Sequence, residues 1–299
     1  MKNSILVLCA AAAAIAPSSA AAQSQCEPEF LQSSQTVTVQ AVDIGSSTYT
    51  IENFDLRLRN GSKDGGGGSC ATTLRLARLS TSPATNLISY TLQSRGKSLE
   101  ILPSETAPGT AASDLRLANL PTGSNGLNLP FQLGIPSDWG TTSGSRTDDI
   151  LAMLVDATGA VVDTLNLTIV VDVAPAAEVR VVGATGLDPI AQLDLGVLDP
   201  TATTVSDPFG IRVWTNSPYT VRFVSQNLGQ LVHEEDRGRI SYQLLMNSAP
   251  VSVTGGIATS VPRVTTALGD YHPLQVRVAP FSARAGSYSD RVEVTVTAN

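Results

Sequence analysis

The chain has 299 residues, 42% apolar and 15% charged, with a formal net charge of −7 and a pI near 4.8. That length is enough for two domains. An acidic surface argues against nucleic acid or anionic membrane as partner, because both reward basic surfaces.

Taken in chain order, the first predicted element is a secretory signal peptide, residues 1–22. Lys2 precedes an apolar run over 5–15, and Ala20, Ala21 and Ala22 offer a small-residue cleavage site. A run of that length falls short of the roughly 20 residues a spanning helix needs. No later stretch approaches it, so no membrane insertion is expected. Cys9 leaves with the signal, and no lipid anchor is expected. The mature chain then begins at Gln23 and carries two cysteines, Cys26 and Cys70. In an exported chain an even pair most simply forms a disulfide, worth about 4 kcal/mol in the chain-entropy model. Two free thiols or two metal ligands are the alternative, although no further Cys or nearby His completes a metal shell.

From there the chain reads as strands. Val37 and Val39 share one face; Phe54, Leu56 and Leu58 alternate with Asp55 and Arg57; 74–79, 115–117 and 127–135 behave alike. No stretch keeps a helical period. The connectors are rich in Gly, Ser, Thr, Asn and Pro, as at 60–69, with its glycines 65–68, and at 141–146. Many short strands with such turns predict an all-β protein, a sandwich or a barrel.

The second half weakly repeats the first. Leu56, Arg57 and Leu58 match Ile211, Arg212 and Val213, and the strand over 73–76 matches the strand over 220–223. Residues 130–135 match 273–278, and the turn leading to Asp148 matches the one leading to Asp290. After Asp148 the first half adds two strands, the last over 164–173, where Leu165, Leu167, Ile169, Val171 and Val173 alternate with Asn166, Thr168 and Asp172. After Asp290 there is one strand, carrying Val292, Val294 and Val296, and the sequence stops at Asn299. The expected layout is a first domain over 23–173 and a second over 174–299 that lacks its final strand. A vacancy of that kind exposes unpaired backbone groups and apolar side chains unless another chain supplies a strand. The expected acceptor groove is lined by Val179, Val181, Val292, Val294 and Val296. The alternative is chance likeness between strands, with the second sheet closing on its own.

Residues 285–297, with Gly286, Tyr288 and Asp290 spaced as G-x-Y-x-D ahead of alternating valines, resemble the C-terminal signature of the spore coat protein U domain family. The stretches 195–200, 211–213 and 215–221 are similar to that domain's earlier part, so the resemblance covers 176–299. It implies two immunoglobulin-like (pilin-like) β-sandwich domains, the second incomplete, in a subunit of an archaic chaperone-usher pilus (a fimbria), secreted through the periplasm to the cell surface and assembled by donor-strand complementation. The implied partners are a periplasmic pilus chaperone, an outer-membrane usher and a neighbouring pilin subunit. Two departures matter. The second domain has no cysteine, and the three residues ahead of Cys26 leave no room for a free donor strand. A subunit that accepts a strand without giving one belongs at the fibre tip, which makes the first domain a candidate adhesin for a surface or host receptor.

The chain has two histidines, His233 and His272, an adjacent acid pair at Asp148 and Asp149, and none of the usual catalytic or nucleotide motifs. The run His233-Glu234-Glu235-Asp236-Arg237 reads as a solvated loop, with metal or acid-base work as the alternative. Asp148 and Asp149 read as turn-capping residues. No enzyme, cofactor or metal is expected. Trp139, in a predicted loop, is a possible ligand contact or a cap on the core; Trp214 belongs to a strand and is expected in the core or at a subunit contact. Two rival readings keep the same residues: a stand-alone secreted coat or carbohydrate-binding sandwich protein, and a pilus chaperone, which the acidic charge and the missing strand fit poorly.

Overall fold

The structure is a computed structural model that describes residues 26–42, 44–45, 49–62, 70–79, 89–187, 190–256 and 258–299. The expected signal peptide, residues 23–25 and the glycines 65–68 lie outside the described residues. Every regular element among the described residues is a strand.

Ten strands build the first sandwich: β1 (Pro28–Phe30), β2 (Ser34–Val42), β3 (Tyr49–Asn60), β4 (Thr72–Arg78), β5 (Thr91–Ser94), β6 (Lys97–Leu99), β7 (Asp114–Leu117), β8 (Leu127–Pro136), β9 (Gly144–Val155) and β10 (Val161–Val173). They form two sheets, ordered β1-β3-β8-β5-β6 and β2-β10-β9-β4-β7. Alternation decides which side chains face inward, since successive residues of a strand point to opposite faces. Leu56, Leu58, Leu129, Phe131 and Leu133 of one sheet therefore share a core with Leu74, Leu76, Ile150 and Leu154 of the other. The strand over 164–173 lies within β10 as expected, and Leu165, Leu167, Ile169, Val171 and Val173 are each at most 3% exposed. β10 pairs antiparallel with β9 along its length and parallel with β2. It closes the sandwich with the chain's own residues. Burial of each of these side chains stabilises the fold by about 1.5–3 kcal/mol, as an upper estimate.

Thirteen strands follow: β11 (Ala177–Val182), β12 (Thr185–Leu187), β13 (Ile190–Gln192), β14 (Thr204–Val205), β15 (Phe209–Thr215), β16 (Tyr219–Ser225), β17 (Gln230–His233), β18 (Arg239–Met246), β19 (Ala249–Val251), β20 (Thr259–Val261), β21 (Asp270–Val278), β22 (Tyr288–Ser289) and β23 (Val292–Ala298). An eight-stranded sheet runs β11-β15-β21-β18-β17-β22, with β14 on β21 and β19 on β18, and it faces a sheet of three, β20-β16-β23. Between them lie Phe209, Ile211 and Val213 from one side and Tyr219, Val221 and Phe223 from the other.

The internal repeat holds at the level of pairing. β3 pairs with β8 as β15 pairs with β21, and β4 pairs with β9 as β16 pairs with β23. Two expectations are corrected. Asp148 and Asp149 lie inside β9, which already starts at Gly144, and not in a turn. His233 closes β17 at 7% exposure, while Glu234 to Arg237 are exposed as expected.

The sandwiches meet at Asn216, which is fully buried in the turn between β15 and β16. Its side-chain amide donates to the Ala174 carbonyl at 3.0 Å and accepts from the Ala176 N–H at 2.8 Å. Its own carbonyl accepts from the Ser143 N–H of the first sandwich at 2.9 Å. One side chain thereby satisfies a linker that has no ladder of its own.

Candidate functional site

β23 is built from a strict alternation, Val292, Val294, Val296 against Glu293, Thr295, Thr297, which turns one face to the core. On one edge it pairs with β16 from Ser225↔Val292 to Tyr219↔Ala298. Its other edge pairs with no strand among the described residues. The matching strand of the first sandwich, β9, has β4 on one side and β10 on the other. The consequence shows in the burial. Val292, Val294 and Val296 pack against the core yet stay half-exposed, whereas the β10 row is sealed.

Near that edge stands β11, which among the described residues pairs only with β15. Val179 is half-buried against the same core, and Val181 is 38% exposed. β11 comes within 8 Å of β23, Cα to Cα, without a ladder between them. Val179 and Val181 thus lie on an edge strand of the larger sheet, and Val292, Val294 and Val296 on an edge strand of the smaller one.

Gly286, Tyr288 and Asp290 hold the approach to β23. Asp290 accepts from the hydroxyls of Tyr242, at 2.6 Å, and Ser225, and from the Asn227 N–H at 3.1 Å. It ties the β16–β17 turn and β18 to the start of β23. Burial first, and then the Asp290 carboxylate, raise the Tyr242 phenol above its ordinary value. The first sandwich repeats the device: the Tyr90 hydroxyl donates to Asp148 at 2.6 Å, and the Arg78 guanidinium lies 3.2 Å from the same oxygen. The tyrosines escaped the sequence reading; the aspartates, at matching places in the repeat, were the signal that could have led to them.

Tyr288 packs edge-on against His233, with ring centroids 5.1 Å apart. Gly286 sits at φ +152°, and a Cβ there would overlap the His233 imidazole. The His233 Nδ1 accepts from the Glu235 N–H at 3.0 Å. These contacts give His233 a place in packing. His272 lies elsewhere, its Nε2 2.7 Å from the Tyr219 hydroxyl and its Nδ1 3.2 Å from the Asn247 amide nitrogen. Burial holds His272 below its ordinary value and pushes Tyr219 up to about 12. Nearby Asp270 is 2.9 Å from the Arg263 guanidinium, without an aligned hydrogen bond to it. Among the described residues no three His, Cys, Asp or Glu side chains gather in a way that could hold a metal ion, and no helix is long and apolar enough to cross a membrane.

Cys26 and Cys70 form the expected disulfide. Trp139 lies in the loop between β8 and β9, half-buried on the first core with its ring against Gly45, which takes φ +87° there. That loop ends at Ser143, beside Asn216, so Trp139 sits at the end of the first sandwich that meets the second. Trp214 is half-buried on the outer face of the eight-stranded sheet, under the Arg180 guanidinium at 5.5 Å.

No family model matches the chain, and no curated protein matches it in sequence. Solved structures similar to it include the CsuC-CsuE chaperone-tip adhesion subunit pre-assembly complex from archaic chaperone-usher Csu pili of Acinetobacter baumannii, at 13% identity over 88% of this chain and 98% of that one, TM-score 0.43. CfaE, the adhesive subunit of CFA/I fimbria of enterotoxigenic Escherichia coli, is similar at 14% identity over 89% and 92%, TM-score 0.37. The CupB6 tip adhesin of Pseudomonas aeruginosa is similar at 10% identity over 88% and 89%, TM-score 0.36. At such identities and TM-scores these are likenesses of outline, which assign neither a site nor a function.

Proposed function

We propose that the chain is a non-catalytic subunit of a chaperone-usher pilus, exported behind a signal peptide, with an adhesin domain over 23–173 and a pilin domain over 174–299 completed by a partner's strand. One observation carries the reading: the same sandwich plan occurs twice, sealed by β10 in the first copy and open beside β23 in the second. A strand entering there would bond to the free edge of β23 and set alternate apolar side chains over Val292, Val294 and Val296, with Val179 and Val181 of β11 on the opposite wall. A periplasmic chaperone would fill the groove first, and a neighbouring pilin, passed on by the outer-membrane usher, would replace it. Support for a tip position comes from β1 and β2, which are engaged inside their own sandwich and anchored by the Cys26–Cys70 disulfide.

The reading is tested with the full chain and a synthetic peptide of residues 164–173, the segment that fills the corresponding place in the first sandwich. Added peptide should raise the melting temperature and protect the β23 amides from hydrogen exchange, and a Val294→Asp variant should lose both effects. A full chain that stays monomeric with β23 amides already protected, and gains nothing from the peptide or from a co-expressed chaperone, would sink it.

A further inference from the structure

The outer face of the eight-stranded sheet, on the side away from the valines, holds a charge arrangement that the groove does not explain. Arg180 of β11 stands directly opposite Arg212 of β15, and Arg212 directly opposite Tyr271 of β21. Like charges in directly opposed positions destabilise a sheet. Glu178 offsets part of this, its carboxylate 2.7 Å from the Arg180 guanidinium. Arg212 makes one bond, to the Leu268 carbonyl at 2.9 Å. A third arginine, Arg277, is exposed on the same face of β21. Alternation leaves Glu178 as the one acid on the outward face of β11, β15 and β21. The face is therefore cationic in a chain of net charge −7.

Apolar surface is interleaved with the charge. Tyr271 is 46% exposed, Leu268 77% and Val182 40%, and Trp214 lies beneath Arg180. Arginine beside tyrosine and tryptophan is the composition of binding hot spots.

We propose that this face docks an acidic polypeptide segment. The planar guanidinium fork matches a carboxylate through two parallel hydrogen bonds, so Asp or Glu side chains of the segment would lie between Arg180 and Arg212 and relieve their apposition. The exposed Leu268, Val182 and Tyr271 point to a polypeptide, because a sulfated or uronic polysaccharide offers carboxylates or sulfates but no aliphatic side chains to cover them. The residues of this face point away from the groove, although β11 carries residues of both.

The test uses the full chain carrying Trp139→Phe, which leaves Trp214 as the reporter, and a short fluorescein-labelled peptide of alternating Glu and Leu. The peptide should quench Trp214, with affinity falling about tenfold or more from low salt to high, as a charge-steered contact requires. Arg212→Glu and Arg180→Glu should each weaken binding about tenfold or more, Arg212→Gln should weaken it less, and Arg57→Glu on the first sandwich should leave it unchanged. Circular dichroism of each variant separates lost binding from lost folding. Binding indifferent to salt and to both reversals overturns the site. Polygalacturonate binding as tightly as the peptide, and lost in the same variants, overturns the polypeptide. A dimer of the full chain in sedimentation that Arg212→Glu disperses overturns it in favour of a second copy.

Discussion

At Gly286 two demands coincide: a φ of +152° that side chains rarely adopt, and the His233 ring occupying the space where a Cβ would go. Gly286→Ala should therefore cost more than about 1 kcal/mol, read as a lower urea midpoint, and His233→Ala in the same chain should recover the steric part but not the backbone part. His272 makes the second residue-level prediction. Its burial, opposed by Asp270 and reinforced by Arg263, keeps its folded-state value below 6.5. Folded chains then take up a proton there less readily than unfolded ones. Above pH 6.5 neither state carries the proton and the contribution is whole; as pH falls through 6.5 toward the folded-state value, stability is lost. Urea midpoints from pH 7 to about 5, above the carboxylate range, should show this decline, and His272→Gln should flatten it.

At the level of strands, β10 and β23 allow a direct comparison of closed and open edges. Ile169→Ala in β10 removes side-chain atoms from a sealed core and should cost about 2–5 kcal/mol. Val294→Ala in half-exposed β23 should cost under about 1 kcal/mol in the lone chain and more once a strand covers the groove; unfolding titrations with and without the 164–173 peptide measure the difference. This contrast was legible in the sequence, because a period of two survives in any half-buried strand and because the repeat sets β23 against β9 as its counterpart. What stayed hidden depended on contacts between distant segments. Asp148 looked like a turn residue because strand starts and turns share Gly, Ser and Asp, and it is Tyr90, 58 residues away, and Arg78, 70 residues away, that show it to be a buried acceptor. His233 sits in a charged run, and its burial follows from Gly286 and Tyr288 coming back over it. Strands of two or three residues, such as β14 and β22, are too short to show any period.

For the molecule as a whole, the relation between the sandwiches rests heavily on Asn216. Asn216→Ala removes both bonds from its side chain to the linker at Ala174 and Ala176. Each sandwich should still fold, while small-angle scattering should show a broader distribution of intramolecular distances and proteolysis should reach 174–176 sooner. An unchanged scattering profile would mean that the Ser143 bond and the surrounding packing suffice.

β10 also has a mechanical meaning. It runs straight into the linker, with β9 antiparallel on one side and β2 parallel on the other. Tension entering from the second sandwich would pull β10 along its own axis, so both ladders would be loaded in shear, all their bonds stretching together, instead of being unzipped one bond at a time. The first sandwich is thus laid out as a lap joint, able to pass traction from the linker into its own two ladders.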